Sequence, residues 1–289
     1  MKKRKSLWLI LVLLMLAGAA AVLLYLRADL RYLVKETVSG WFRERVAMVE
    51  LDAEALKVDK KSLSDLIAEE NCTYDQSLLL VNGTYRLSDD FVPDVSEYKT
   101  SGVLMNRCIM DAYAALAAAV GDRFDEKLYV MSSYRSAAEQ ANVLAGEDAD
   151  TAAEVGASEH QTGLALDVYV QYYAGDGFLK SEAGQFVNEN CQDYGFIIRY
   201  PRGKEDVTGI RFEPWHIRYI GAPHAAFLAS NGLTLEEYFD MLEPDKFYEV
   251  NGYVVSRQRG GEFYVPASYT ELTISPDNTG YYILTAKQR

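Results

Sequence analysis

Ser158-Glu159-His160-Gln161-Thr162-Gly163-Leu164-Ala165-Leu166-Asp167 is answered further along the chain by Glu213-Pro214-Trp215-His216. The sequence has only three histidines, and two of them stand in these stretches beside carboxylates. A zinc-type ion takes three or four nitrogen and oxygen ligands, so His160, Asp167 and His216 make a candidate ligand set with one position left for water. Glu213 is then a carboxylate near a ligand and free to shuttle the proton that hydrolysis by a metal-activated water requires. On the strand read over 163–170, Leu164, Leu166 and Val168 share one face, and Ala165, Asp167 and Tyr169 share the other. Small Ala165 beside Asp167 leaves room for an ion. Glu213 and His216 are three residues apart, so an unbroken strand would point them to opposite faces. Pro214 lies between them and cannot donate to a sheet ladder, so the metal reading requires a bend there.

Outward from this pair, the run 127–133 reads as a strand, and Ser136 with Glu139 fits a capping box that opens a helix over 136–144. Arg135 falls at the junction, where a guanidinium can bind a carboxylate or an oxyanion in bidentate fashion. The Ala-rich segment 103–120 reads as a buried helix ended by Gly121. Asn82-Gly83 between apolar runs suggests a hairpin over 78–87. A helix is expected over 181–194, two strands over 196–201 and 209–221, and a capped helix from Thr234 to Met241. The acidic loop 146–156 is a candidate mobile rim of the site. His224 has no neighbouring carboxylate and reads as a surface or capping histidine. Cys72, Cys108 and Cys191 allow at most one disulfide.

The chain of 289 residues is long enough for one main domain with additions, and 49% hydrophobic and 12% aromatic residues suit a packed body rather than a disordered chain. Its net charge of -13 argues against a duplex nucleic-acid binder, which needs a basic face to displace counterions from phosphates. Residues 7 to 26 are uncharged and mostly apolar, with Lys2, Lys3, Arg4 and Lys5 ahead and Arg27 behind. Twenty helical residues rise about 30 Å, the thickness of the hydrocarbon core, and the basic flank stays in the cytoplasm. This gives a single-pass cell-membrane protein with its body extracytoplasmic; a signal peptide cleaved near Ala19-Ala20-Ala21 is the rival. The organisation expected is a cytoplasmic tail (1–6), an anchor (7–26), a juxtamembrane spacer (27–75) lifting the body off the membrane, a catalytic domain (76–245) and a small β-rich appendage (246–289).

The motifs SSYRS with Gln140 after it, SEHQTGLALDV, YGFIIRYP and EPWHIRYIG resemble those of the VanY-type zinc D-alanyl-D-alanine carboxypeptidases, related to the VanX dipeptidases. The likeness covers roughly residues 76 to 230. It implies an α+β hedgehog/DD-peptidase-like domain with a central antiparallel sheet and flanking helices. It also implies one Zn2+ ion on His160, Asp167 and His216, with Glu213 as general base and then acid. Arg135, Gln140 and Ser158 would contact the peptide's terminal carboxylate or scissile region, with Tyr200 and Trp215 lining the cleft. The implied partner is a peptidoglycan stem peptide ending in D-Ala. An L,D-carboxypeptidase acting on tetrapeptide stems is the alternative within the fold; a non-catalytic zinc-bearing wall-binding module is the alternative outside it.

Overall fold

The run Ala165–Tyr169 forms a strand at the centre of a four-stranded sheet, in the order Tyr129–Ser132, Ala165–Tyr169, His216–Tyr219, Phe196–Ile198. Every neighbouring pair is antiparallel. The computed structural model describes residues 2–146 and 153–288, so residues 147–152 of the expected rim loop lie outside the described residues. The alternation read from the sequence sets the core: Leu164, Leu166 and Val168 are fully buried among Met105, Leu116, Val187, Phe196 and Ile217. Helices Met110–Phe124 and Glu182–Asn190 cover this face.

Several expected elements are redrawn by tertiary pairing. Residues 104–106 are a short strand against Val95–Glu97, so the helix expected over 103–120 begins only at Met110. It runs past Gly121 to Phe124, where Asp125 takes the left-handed conformation that ends it. No hairpin forms at Asn82-Gly83. The Asn82 side chain instead accepts from the amides of Thr84 and Tyr85, and the preceding run is divided between two cores. Leu79 and Val81 enter the main core, whereas Leu78 and Leu80 enter a second one.

That second core changes the domain picture. Residues 49–74 of the expected spacer and the expected appendage combine into one β body: a six-stranded sheet ordered Val49–Leu51, Phe247–Val250, Tyr253–Arg259, Tyr281–Lys287, Glu271–Pro276, Cys72–Tyr74. Asp59–Ser62 pairs with Glu262–Val265 beside it. Strand neighbours bury opposite faces, which explains their nearly continuous apolar runs. Tyr248, Val250, Val255 and Ile283 pack on Leu80, Ile220, Phe227 and Tyr238 of the catalytic body, while Phe247, Val254 and Leu284 pack with Leu66 and Phe263. His224, expected near the surface, is buried between the two bodies, with Nδ1 2.8 Å from the Tyr238 hydroxyl and Nε2 2.9 Å from Thr285 Oγ1. Burial alone pushes its pKa down to about 3, so it is a neutral hydrogen-bonding bridge. The three cysteines are free thiols.

The amino end is a helix from Lys2 to Leu26, followed after Arg27 by a second helix, Ala28–Trp41. Among the described residues no single helix is long and apolar enough to cross a membrane. Val12–Leu26 and Ala28–Trp41 together pass by length and composition but are bent by 108° at the break.

Candidate active site

Strand register assembles the centre. Asp167 lies directly opposite His216 on the adjacent strand, so the two side chains share a face. His160 arrives from the 3-10 turn Glu159–Thr162 that leads into the Asp167 strand. Gly163 closes that turn at φ +70°, and its carbonyl accepts from the Asn106 amide at 2.9 Å. A Cβ there would stand 2.6 Å from Val95 Cγ1 and 2.8 Å from the Asn106 nitrogen, so only glycine fits.

The ligand-bearing atoms of His160, Asp167 and His216 lie within 4.8 Å of one another. His160 Nδ1 is 2.9 Å from the Ser133 carbonyl, which can only accept, so this nitrogen carries the proton. Its Nε2 lone pair therefore faces Asp167 Oδ2 at 3.2 Å. His216 Nδ1 is 3.0 Å from Asp167 Oδ1, a buried oxygen that has no hydrogen-bond partner. Converging lone pairs on two imidazoles and a carboxylate need a shared proton or a cation between them. This donor set suits zinc. In the metal-free protein, burial would raise the Asp167 pKa, but the two imidazoles outweigh it and hold the carboxyl well below its usual range. Burial likewise lowers His160, whereas Asp167 and Glu159 overcome burial at His216 and raise it to about 9.

The bend demanded at Pro214 is present. Residues 214–215 form a turn in which the His216 amide donates to the Glu213 carbonyl at 3.2 Å, and the strand begins only at His216. The strand expected over 209–221 is thus shortened to four residues. Asn188 holds the turn by donating to the Pro214 carbonyl at 2.8 Å, and the Glu213 amide donates to the Tyr200 carbonyl. The turn brings Glu213 Oε2 to 3.8 Å from His216 Nδ1, on the metal-facing side. Burial raises the Glu213 pKa, and the Asp167 charge adds to it against the opposing pull of His216.

Arg135 lies between the strand Tyr129–Ser132 and the helix Ala137–Gly146, its amide donating to the His160 carbonyl at 3.1 Å. Its charge is close enough to help depress the His160 pKa. Ser136 and Glu139 cap the helix reciprocally, as the sequence indicates. Gln140 is buried, donating to the Ala153 carbonyl at 2.7 Å, while its Oε1 has no partner. Ser158 is buried at the start of the His160 turn. The Tyr200 ring lies against His216, with centroids 4.8 Å apart. Trp215 packs into the main core under the Arg211 guanidinium.

A buried charge network behind His216 escaped the sequence reading. Glu159 Oε1 accepts from Arg199 Nε at 2.7 Å and Arg218 Nη1 at 2.6 Å, and its Oε2 lies 3.8 Å from His216 Nε2. Arg199 also pairs with Glu236, and Arg218 donates to the carbonyls of Ser77 and Leu79. Glu159 thus places a negative charge behind the imidazole nitrogen that faces away from Asp167, beyond hydrogen-bond distance but close enough to act on it electrostatically. Arg218 stands opposite Ala165, so a guanidinium, not an ion, is the long neighbour of that small side chain. The available signal was an arginine inside each apolar run, FIIRYP and HIRYIG. A separate cleft of about 880 Å³ lies between the helix Ala28–Trp41 and residues such as Asn188, Ile198 and Lys204; it contains none of the three candidate ligands.

Residues 102–222 match the family model of VanY, D-alanyl-D-alanine carboxypeptidase. A D-alanyl-D-alanine carboxypeptidase of Enterococcus faecium is 33% identical over 233 residues, 75% of this chain and 74% of the relative. The fold is similar to that of the vancomycin resistance D,D-dipeptidase VanXYg in complex with a D-Ala-D-Ala phosphinate analogue. That match has a TM-score of 0.62 at 25% identity and covers 84% of this chain and 99% of the other. It is also similar to a point mutant of the D,D-pentapeptidase VanY from the VanB-type resistance cassette in complex with Zn(II), with a TM-score of 0.50 at 29% identity over 56% of this chain and 98% of the other.

Proposed function

Because the chain belongs to the VanY family of D-alanyl-D-alanine carboxypeptidases, we propose that it removes the terminal D-Ala from peptidoglycan stem peptides with zinc held by His160, Asp167 and His216. The observation that carries this reading is the turn at Pro214–Trp215, which places Glu213 3.8 Å from a ligand nitrogen. A purely structural metal site has no use for a half-buried carboxylate at that point. Zinc, when bound, supplies a Lewis acid that polarises the scissile carbonyl and makes a water acidic near neutral pH. Glu213 takes the proton from the attacking water and returns it to the leaving amine. Arg135, fixed by its backbone to the His160 turn, supplies the positive charge for the substrate's terminal carboxylate. Tyr200 closes one side of His216, and Gln140 and Ser158 supply polar atoms near the same turn.

The protein is further proposed to be anchored in the cell membrane by residues 7–26, with both bodies outside. The twenty-residue apolar run, its helical conformation and the basic cluster ahead of it support this. The activity is tested by incubating the full-length protein with pentapeptide and tetrapeptide stems separately and weighing the products. Loss of one D-Ala from the pentapeptide is expected; loss only from the tetrapeptide would replace the D,D reading with an L,D one.

A further inference from the structure

We infer that the helix Ala28–Trp41 is an interfacial helix, lying along the outer surface of the bilayer and clamping the catalytic body to it. The inference rests on the proposed anchor and goes beyond it. Three observations lead there. First, the helix departs from the one before it at 108°, which is 18° past a right angle. If Lys2–Leu26 stands upright in a membrane, the second helix runs along the surface and dips slightly back toward it, about 21 Å in length. Second, its two faces differ. Asp29 and Tyr32 are buried against the catalytic body, whereas Val34 (49% exposed), Val38 (43%) and the following Phe42 (82%) form an uncovered stripe at helical spacing, with Trp41 (76%) at its edge on the rim of the cleft beside the body. Third, that stripe is on the side from which the first helix arrives. Arg31, next to it on the helix surface, reaches back to the carbonyls of Leu24 and Tyr25 at 3.4 Å.

Valines, an indole and a phenyl ring toward the acyl boundary, with Arg27 and Arg31 at headgroup level, are the composition of a membrane-surface helix. The opposite face is fastened by Lys35 Nζ on Glu189 at 2.6 Å and Arg43 Nη1 on the Ala229 carbonyl at 2.9 Å. The sequence suggested a spacer that lifts the body off the membrane; this geometry instead holds it close to the membrane in one orientation.

The test uses the full-length protein in vesicles of phosphatidylcholine and phosphatidylglycerol, with the same lipids brominated near the headgroup or deep in the chain. Trp8, Trp41 and Trp215 are the tryptophans, so the spectrum of the protein minus that of Trp41→Phe isolates Trp41. The Trp41 component should be quenched roughly twofold or more by the shallow bromines and less by the deep ones, as insertion of 5–10 Å implies. Val38→Asp should reduce that quenching while the protein still floats with the vesicles. A water-like, unquenched Trp41 in protein that floats would overturn the interfacial helix and leave the anchor standing. Protein that stays in the aqueous phase would refute both.

Discussion

Replacing Glu159 by glutamine keeps the shape of the buried network and deletes its central charge. Glu159 and Glu236 balance Arg199 and Arg218, and the glutamate and both guanidiniums at its centre are fully shielded from solvent. Without the Glu159 charge, Arg199 retains Glu236 at 2.6 and 2.9 Å, while Arg218 is left with the neutral carbonyls of Ser77, Leu79 and Tyr219. Breaking a buried pair typically costs about 3–5 kcal/mol, and the carbonyls around Arg218 place this case near about 3 kcal/mol. In a protein of this size that lowers the Tm by roughly 6–12 °C. Burial would raise the Glu159 pKa, but Arg199 and Arg218 outweigh it and hold the carboxyl well below its ordinary value of 4.5. The depressed value means that its contribution is complete above that pH and is lost only as pH falls through the folded value. The difference in Tm between the two proteins should therefore not fall off until the pH is well into the acid range, and it should shrink as pH rises toward 9, because Glu159 is one of the charges that keep His216 protonated in the metal-free protein. Loss of the carboxylate behind His216 Nε2 should also weaken zinc binding about 10- to 100-fold. Calorimetry on chelator-treated protein separates the stability effect from metal linkage, and competition with a chelating dye gives the zinc Kd. A Glu159→Gln protein matching the original in both Tm and Kd would refute the reasoning.

Glu213→Gln should retain zinc, measured by elemental analysis, while kcat falls by about 10²- to 10⁴-fold; loss of the metal instead would make Glu213 a ligand. Because the base must be ionised, kcat/KM should decline as pH falls into the carboxyl range, and this acidic limb should vanish in the Glu213→Gln residual activity. Arg135→Lys keeps a charge but loses the planar fork, so KM for stem peptides should rise roughly 10- to 100-fold with the fold intact by circular dichroism. Gly163→Ala combines a left-handed backbone with a Cβ 2.8 Å from the Asn106 nitrogen, and should cost about 3 kcal/mol in denaturant unfolding.

The sequence alone picked out the candidate ligands that folding brings together, the capped helices at Ser136 and Thr234 and the core face of the Asp167 strand. Each depends on residues near one another along the chain, where spacing translates directly into a shared face or a local hydrogen bond. It also showed that Pro214 had to bend the chain, though not which way. Only the tertiary structure decided that the bend is a turn closed by the His216 amide and held by Asn188, because those partners come from separate elements. The same holds for residues 49–74, whose short strands find their partners some two hundred positions away in the β body. Arg199 and Arg218 looked misplaced in apolar runs because the carboxylate that compensates them, Glu159, is brought near only by folding. Likewise, the helix Ala28–Trp41 became more than a spacer once its buried and uncovered faces could be told apart, since which face is covered depends on what the rest of the chain places against it.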